Sequence, residues 1–168
     1  PFWATKTCFE DFHSMRRTTG TPGDDELFPF LDEDNELLGI SGDDTLFPGP
    51  GADTLDGGEG NEWVYYRTFD GDTPVFSVGV DIRINEGFAL IPFASGTVQH
   101  VLLNIENARG SNANDTIAGN DAANEIQAFD GNDNISAGGG DDRIFAGSGD
   151  DTVNGGDGDD SLFAMAGN

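Results

Sequence analysis

Positive charge is scarce in this chain. Seven Lys and Arg stand against 32 Asp and Glu in 168 residues, a formal net charge of −25. A chain of that sign repels nucleic acid, whose phosphates are bound by cations, and it disfavours anionic membrane surfaces. Cysteine is almost missing: Cys8 stands alone, so no internal disulfide can staple the fold. No long apolar run offers a transmembrane helix, and no apolar leader is visible near residue 1, so no signal peptide is expected here. The two histidines, His13 and His100, are isolated. There is no nucleophile elbow, no HExxH and no strand-loop-helix context for a phosphate-cradling loop. The Asp–Asp pairs imitate a paired-carboxylate glycosidase site, but each sits in a repeated turn. The chain is therefore expected not to be an enzyme. Acidity alone would fit disorder; 10% aromatics and a strict aliphatic spacing argue for a chain that can fold.

What is abundant is glycine, 25 residues, and it recurs. Residues 110–163 read in nines as GSNANDTIA, GNDAANEIQ, AFDGNDNIS, AGGGDDRIF, AGSGDDTVN and GGDGDDSLF. The eighth position is Ile117, Ile126, Ile135, Ile144, Val153, Leu162. The sixth is Asp115, Asn124, Asp133, Asp142, Asp151, Asp160. The fourth is Ala113, Ala122, Gly131, Gly140, Gly149, Gly158. Glycine permits a tight turn, including positive φ. The last three residues are extended, so the eighth points inward while the seventh and ninth point out. One repeat cannot bury its aliphatic side chain alone, whereas stacked repeats bury a ladder of them. Stacking also brings the sixth-position carboxylates together. Their repulsion is relieved by a hard, oxygen-seeking cation such as Ca2+, with turn carbonyls as further ligands. Metal binding and folding are then one event.

Residues 20–65 carry a looser run: GTPGDDELF, the ten-residue PFLDEDNELL, GISGDDTLF, PGPGADTLD and GGEGNEWVY. Its inward column is Leu27, Leu37, Leu46, Leu55, Val64. Its sixth column is Asp25, Asn35, Asp44, Asp53, Glu62, with Gly42 and Gly51 in the fourth. Residues 66–109 break the repeat. Phe76, Val78, Val80, Ile82 and Ile84 alternate with polar residues and glycine, which predicts a strand with one buried face. Phe88–Phe93 and Val101–Ile105 are two further apolar stretches. This segment is expected to be a β insertion joining the two runs into one continuous domain. In residues 1–19, Thr7 and Glu10 form a capping box, Phe9, Phe12 and Met15 share a face, and Arg16 and Arg17 suit a helix C-terminus. That predicts a short amphipathic helix, either a cap on the open end of the stack or a docking element. The expected divisions are 1–19, 20–65, 66–109 and 110–168.

The two runs resemble the hemolysin-type calcium-binding repeats of RTX proteins, whose nonapeptide G-G-x-G-x-D-x-U-x is a β-helix signature. Asn104-Ile105-Glu106-Asn107 running into Gly110-Ser111 resembles the entry to such repeats. The resemblance implies an all-β fold, a right-handed parallel β-roll or β-solenoid with two repeats per coil, here with a β insertion and a short capping helix. It implies several Ca2+ ions held by Asp25, Asp44, Asp53, Glu62, Asp115, Asn124, Asp133, Asp142, Asp151 and Asp160, with the turns of Gly42, Gly51, Gly131, Gly140, Gly149 and Gly158. It implies export by type I secretion and folding in extracellular calcium. The break in the repeat at Gly167-Asn168 makes the sequence, by expectation, a piece of a larger secreted bacterial chain.

With alternate repeats on each edge, Asp25 stacks with Asp44 and Asp44 with Glu62. Asn35 stacks with Asp53. Asp115, Asp133 and Asp151 form one edge of the second run; Asn124, Asp142 and Asp160 form the other. Outward aromatics also align: Phe28, Phe47 and Tyr65 beside Trp63, and Phe145 with Phe163. Such rows are either covered by the insertion or the N-terminal helix, or used for self-association or docking to a parent protein. The expected role is a structural or self-assembling module of an adhesin, surface layer or filament. The alternative is an accessory domain that assists folding, secretion or substrate binding of a secreted protease, lipase or polysaccharide-modifying enzyme. Ice binding is disfavoured by the mixed seventh column, Thr116, Glu125, Asn134, Arg143, Thr152, Ser161.

Overall fold

The computed structural model describes residues 16–30, 33–66 and 78–164. Its strands are β1 (Arg16–Thr19), β2 (Glu26–Leu27), β3 (Asn35–Ser41), β4 (Thr45–Leu46), β5 (Thr54–Glu59), β6 (Trp63–Tyr65), β7 (Asp81–Arg83), β8 (Phe88–Phe93), β9 (Gly96–Leu103), β10 (Asn107–Arg109), β11 (Thr116–Ala118), β12 (Glu125–Gln127), β13 (Asn134–Gly139), β14 (Arg143–Gly147), β15 (Thr152–Asp157) and β16 (Ser161–Ala164). They build two sheets. One has nine strands in the order β1-β3-β5-β9-β8-β7-β11-β13-β15; the other has seven, β16-β14-β12-β10-β6-β4-β2. Outside β7, β8 and β9 the chain alternates between them, so each coil there gives one strand to each sheet. This is the parallel β-solenoid that the resemblance to RTX repeats implies.

Register follows the repeat. Ile117 pairs with Ile135 and Ile135 with Val153 on one sheet. Ile126 pairs with Ile144 and Ile144 with Leu162 on the other. Leu27, Leu46 and Val64 continue that second ladder through Ala108 to Ile126. The inward residues are buried along both ladders except at the last coil, where Val153 is half-buried and Leu162 is 52% exposed. Each fully buried Leu or Ile contributes roughly 1.5–3 kcal/mol of apolar transfer, so the ladder is the main source of cohesion.

The strands β7, β8 and β9 of the insertion all lie in the nine-stranded sheet. β7 runs parallel beside β11, β8 turns back antiparallel to it, and β9 turns again to lie parallel beside β5. Opposite, β6 pairs directly with β10. One sheet therefore gains two strands that the other lacks. Tyr66, Ile91, Ile105 and His100 are buried in this region, with the Tyr66 hydroxyl 3.1 Å from His100 Nδ1.

Two sequence expectations need correction or limits. Arg16 and Arg17 do not end a helix: they stand in β1, paired in parallel with Asn35 and Glu36. Their side chains make exposed ion pairs with Glu33 and Glu36. The rest of the expected helix lies outside the described residues. The long strand expected from Phe76 to Asn85 is short, Asp81–Arg83, because Ile84–Glu86 form a 3-10 turn closed by Gly87 at φ 76°; Phe76 lies outside the described residues.

The outward aromatics of the two runs belong to one row on the seven-stranded sheet. Phe28 stacks on Phe47 at 4.6 Å and Phe145 on Phe163 at 4.8 Å. Between them, the Arg109 guanidinium lies 4.3 Å from the Trp63 ring centre and 5.1 Å from Tyr65. Arg143 covers Phe145 at 4.6 Å. Phe47 and Tyr65 are buried, while Phe28 and Phe163 are about half exposed.

Candidate metal-binding turns

Seven turns tie the sixth-position side chain back to the preceding coil by one recurrent bond. The carboxylate accepts the backbone N–H of the sixth residue one coil earlier. Asp44 Oδ1 accepts from Asp25, and Glu62 Oε2 from Asp44, both at 2.8 Å. Asp53 Oδ1 accepts from Asn35. Asp133 Oδ1 accepts from Asp115, Asp151 from Asp133, Asp142 from Asn124, and Asp160 from Asp142, at 2.7–3.0 Å. The stacking expected from two repeats per coil is therefore what the turns display.

One member of this ladder escapes a reading that starts the second run at residue 110. Glu62 N–H donates to Glu106 Oε2 at 2.9 Å. Carrying the nine-residue frame back one step, to VLLNIENAR, puts Glu106 in the sixth position and Ala108 in the eighth. The seven-stranded edge is thus continuous across the insertion, since Asn124 Nδ2 in turn donates to the Glu106 carbonyl at 2.6 Å. The other edge is interrupted: the coil beneath Asp115 offers the Val80 N–H, at 2.8 Å.

A second ladder runs the opposite way in the fifth column. Asp24 Oδ1 accepts from Asp43 N–H above it, and Asp43 Oδ1 from Asn61. Asn114 accepts from Asn132, Asn132 from Asp150, and Asp141 from Asp159. Frequent Asp and Asn in this column are its only sequence signal.

The fourth-position glycines let the turns stack this closely. Gly149 has φ 143°, and a side chain there would run into the Gly131 carbonyl of the coil below. Gly42, Gly131, Gly140 and Gly158 also have positive φ. Gly51 lacks positive φ, but the Glu33 carbonyl fills the place of a side chain.

The electrostatics of these turns are unfavourable for a bare protein. Asp44 and Glu62 are fully buried; Asp133 and Asp142 are nearly so. Each keeps one oxygen without a donor: Asp44 Oδ2, Glu62 Oε1, Asp133 Oδ2 and Asp142 Oδ2. Burial, reinforced by neighbouring carboxylates, raises the affinity of all four for a proton, and pushes Asp133 up to about 7. Asp115 is raised by burial too, though hydrogen bonds from Val80 and Ser111 oppose it. A buried oxygen without a partner costs free energy, and so does a carboxylate stacked on its like. A hard cation removes both penalties at once. The residues therefore fit Ca2+, which favours carboxylate and carbonyl oxygens and tolerates irregular geometry. No three His, Cys, Asp or Glu side chains converge among the described residues. That is consistent with a site in which each turn gives one carboxylate and backbone oxygens complete the shell.

The model of the RTX calcium-binding nonapeptide repeat matches residues 33–70, 109–144 and 136–168, in four copies. The chain belongs to this family. The matched segments cover more than half of its length and fall on the stacked runs from β3 onward, leaving out β1, β2, β7, β8 and β9. No curated protein matches the chain. Membership in a family described by its calcium binding makes Ca2+ the cation to consider at these turns. No helix among the described residues is long and apolar enough to cross a membrane.

Proposed function

We propose that this chain is a calcium-folded β-roll, a non-catalytic structural module of a secreted bacterial protein. The observation that carries the proposal is the set of four buried carboxylate oxygens without donors, three in turns that lead into the seven-stranded sheet (Asp44, Glu62, Asp142) and one in a turn that leads into the other (Asp133). Where calcium is scarce these turns repel one another and the chain, at net charge −25, favours an expanded state. Where calcium is plentiful the turns close on the ion and the aliphatic ladder forms. That coupling suits a chain exported unfolded and folded outside the cell. Bound Ca2+ supplies positive charge and ligand demand; the sixth-position carboxylates and turn carbonyls supply the oxygens.

The module acts by assembly, in an adhesin, surface layer or filament. The aromatic row of the seven-stranded sheet supports this reading, because Phe28 and Phe163 present half-exposed rings at its two ends. Far-UV circular dichroism with analytical ultracentrifugation, over a titration from chelator to millimolar calcium, tests it. A coil-to-β transition followed by large species is expected. A transition that ends in a well-behaved monomer would instead assign the roll to an accessory domain of a secreted enzyme. No response to calcium would overturn both.

A further inference from the structure

The repeats differ in what happens to the second oxygen of the sixth-position side chain. In one class of turn it is already occupied. The backbone N–H of the second-position residue folds back onto it: Thr21 onto Asp25 at 2.6 Å, Gly49 onto Asp53 at 2.7 Å, Ser111 onto Asp115 at 2.7 Å. Thr21 and Ser111 add their hydroxyls, each to its own aspartate.

The asparagine turns reach the same end by a different route. Asn35 Nδ2 donates to the Phe30 and Glu33 carbonyls and to Asp53 Oδ1, at 3.2, 2.6 and 2.9 Å. Two turn carbonyls and the carboxylate of the next coil are the kind of oxygen set a calcium ion collects. Here a side-chain amide has taken the centre. Asn124 Nδ2 does likewise with the Glu106 carbonyl and Asn120 Oδ1.

In the other class the second-position residue is left-handed, and its N–H does not reach the carboxylate. This holds for Ile40, Gly58, Phe129, Gly138, Gly147 and Gly156, at φ between 77° and 116°. Their turns end in Asp44, Glu62, Asp133, Asp142, Asp151 and Asp160. Every buried sixth-position oxygen without a donor lies in this class. Ile40 at 91° and Phe129 at 77° hold a conformation that costs a branched or bulky residue about 1–3 kcal/mol. Strain kept at two turns, each with one carboxylate oxygen that lacks a donor, points to a ligand that repays it.

We propose that this chain binds three calcium ions, one between each pair of consecutive open turns: Asp44 with Glu62, Asp133 with Asp151, and Asp142 with Asp160. The turns of Asp25, Asn35, Asp53, Asp115 and Asn124 are closed by the protein's own hydrogen bonds and take no ion. The inference rests on the calcium-folded reading above and narrows it. The turn before Glu106 is not a fourth site, because only three residues separate Leu102 from Glu106, against six between Leu55 and Glu62, and the glycine-rich segment is missing.

Equilibrium dialysis of the full chain against radioactive calcium counts the ions. Three per chain are expected. D160N should bind two, and D25N, at the other end of the same edge, should still bind three. Both are isosteric and only partly buried, and circular dichroism in calcium checks that each folds. Four or more ions on the full chain, or a loss of one with D25N, would overturn the division into open and closed turns while leaving calcium folding intact. No ion bound at all would overturn the proposal together with the reading on which it rests.

Discussion

The turn ending at Asp115 and the turn ending at Asp133 are stacked neighbours, joined by the Asp115 N–H to Asp133 Oδ1 bond. Both present Asp on a coil edge above the same aliphatic ladder. In the first, Ser111 gives its N–H and its hydroxyl to the aspartate. In the second, Phe129 has turned left-handed and Asp133 Oδ2 is left alone. A motif that reads identically at the sixth position thus has two chemical outcomes, and the residue four positions earlier decides between them.

The aliphatic ladder should not sense this difference, and the largest predicted effect tests that. Ile117→Ala, in the coil of the closed Asp115 turn, and Ile135→Ala, in the coil of the open Asp133 turn, should each cost about 3 kcal/mol in calcium. Both side chains are almost wholly buried. Urea denaturation reads the result. A cost at one position more than twice that at the other would tie the core to the turn class.

The second effect separates the classes by pH. Burial raises Asp44, Glu62, Asp133 and Asp142 above their ordinary range, so the folded state holds these protons more tightly than the unfolded one. Their stabilisation is complete below the unfolded value, 3.8 for aspartate, and is lost as pH rises through the folded value, about 7 for Asp133. In chelator, the folded fraction read by circular dichroism should therefore be largest at acid pH and fall between pH 5 and pH 8. Calcium should flatten that slope, because it replaces the proton. An equal slope with and without calcium would show that the open carboxylates do not meet the ion.

The smallest effect concerns strain. Ile40→Gly should stabilise the roll by about 1 kcal/mol, since glycine already serves at the equivalent positions of the Glu62 and Asp142 turns. Thermal melting in calcium checks it. A loss of stability would mean that Ile40 contributes more by packing than its φ of 91° costs.

Much of this was legible in the sequence. A spacing of nine with an inward aliphatic gives a buried ladder, and the two repeats per coil that the resemblance implies give the stacking partners on each edge. Glu106 was legible as well, had the frame been carried across the insertion. The class of a turn was half legible: Thr21, Ser111 and Asn120 are polar residues that favour local bonds to the backbone, and Gly138, Gly147 and Gly156 favour positive φ. Ile40 and Phe129 gave no such sign, because neither side chain prefers the conformation it adopts. The start of the roll was not legible, because β1 carries no glycine turn of its own; its place comes from pairing with β3, which is not a local signal. The insertion was recognisable as β, but its order in the sheet depends on long-range pairing that periodicity does not encode.

The paired ladders of the turns also have a mechanical meaning. The sixth-column bonds and the fifth-column bonds run in opposite directions between the same two coils, so each coil is latched only to the one before it and the one after it. Tension applied to the chain from the Ala164 side would therefore peel the stack rather than shatter it. Each release would free one coil of 18 residues, the register offset of β13 against β15, and lengthen the chain by roughly 60 Å. Outside the hairpin of β7, β8 and β9, the roll would yield like a ratchet, tooth by tooth.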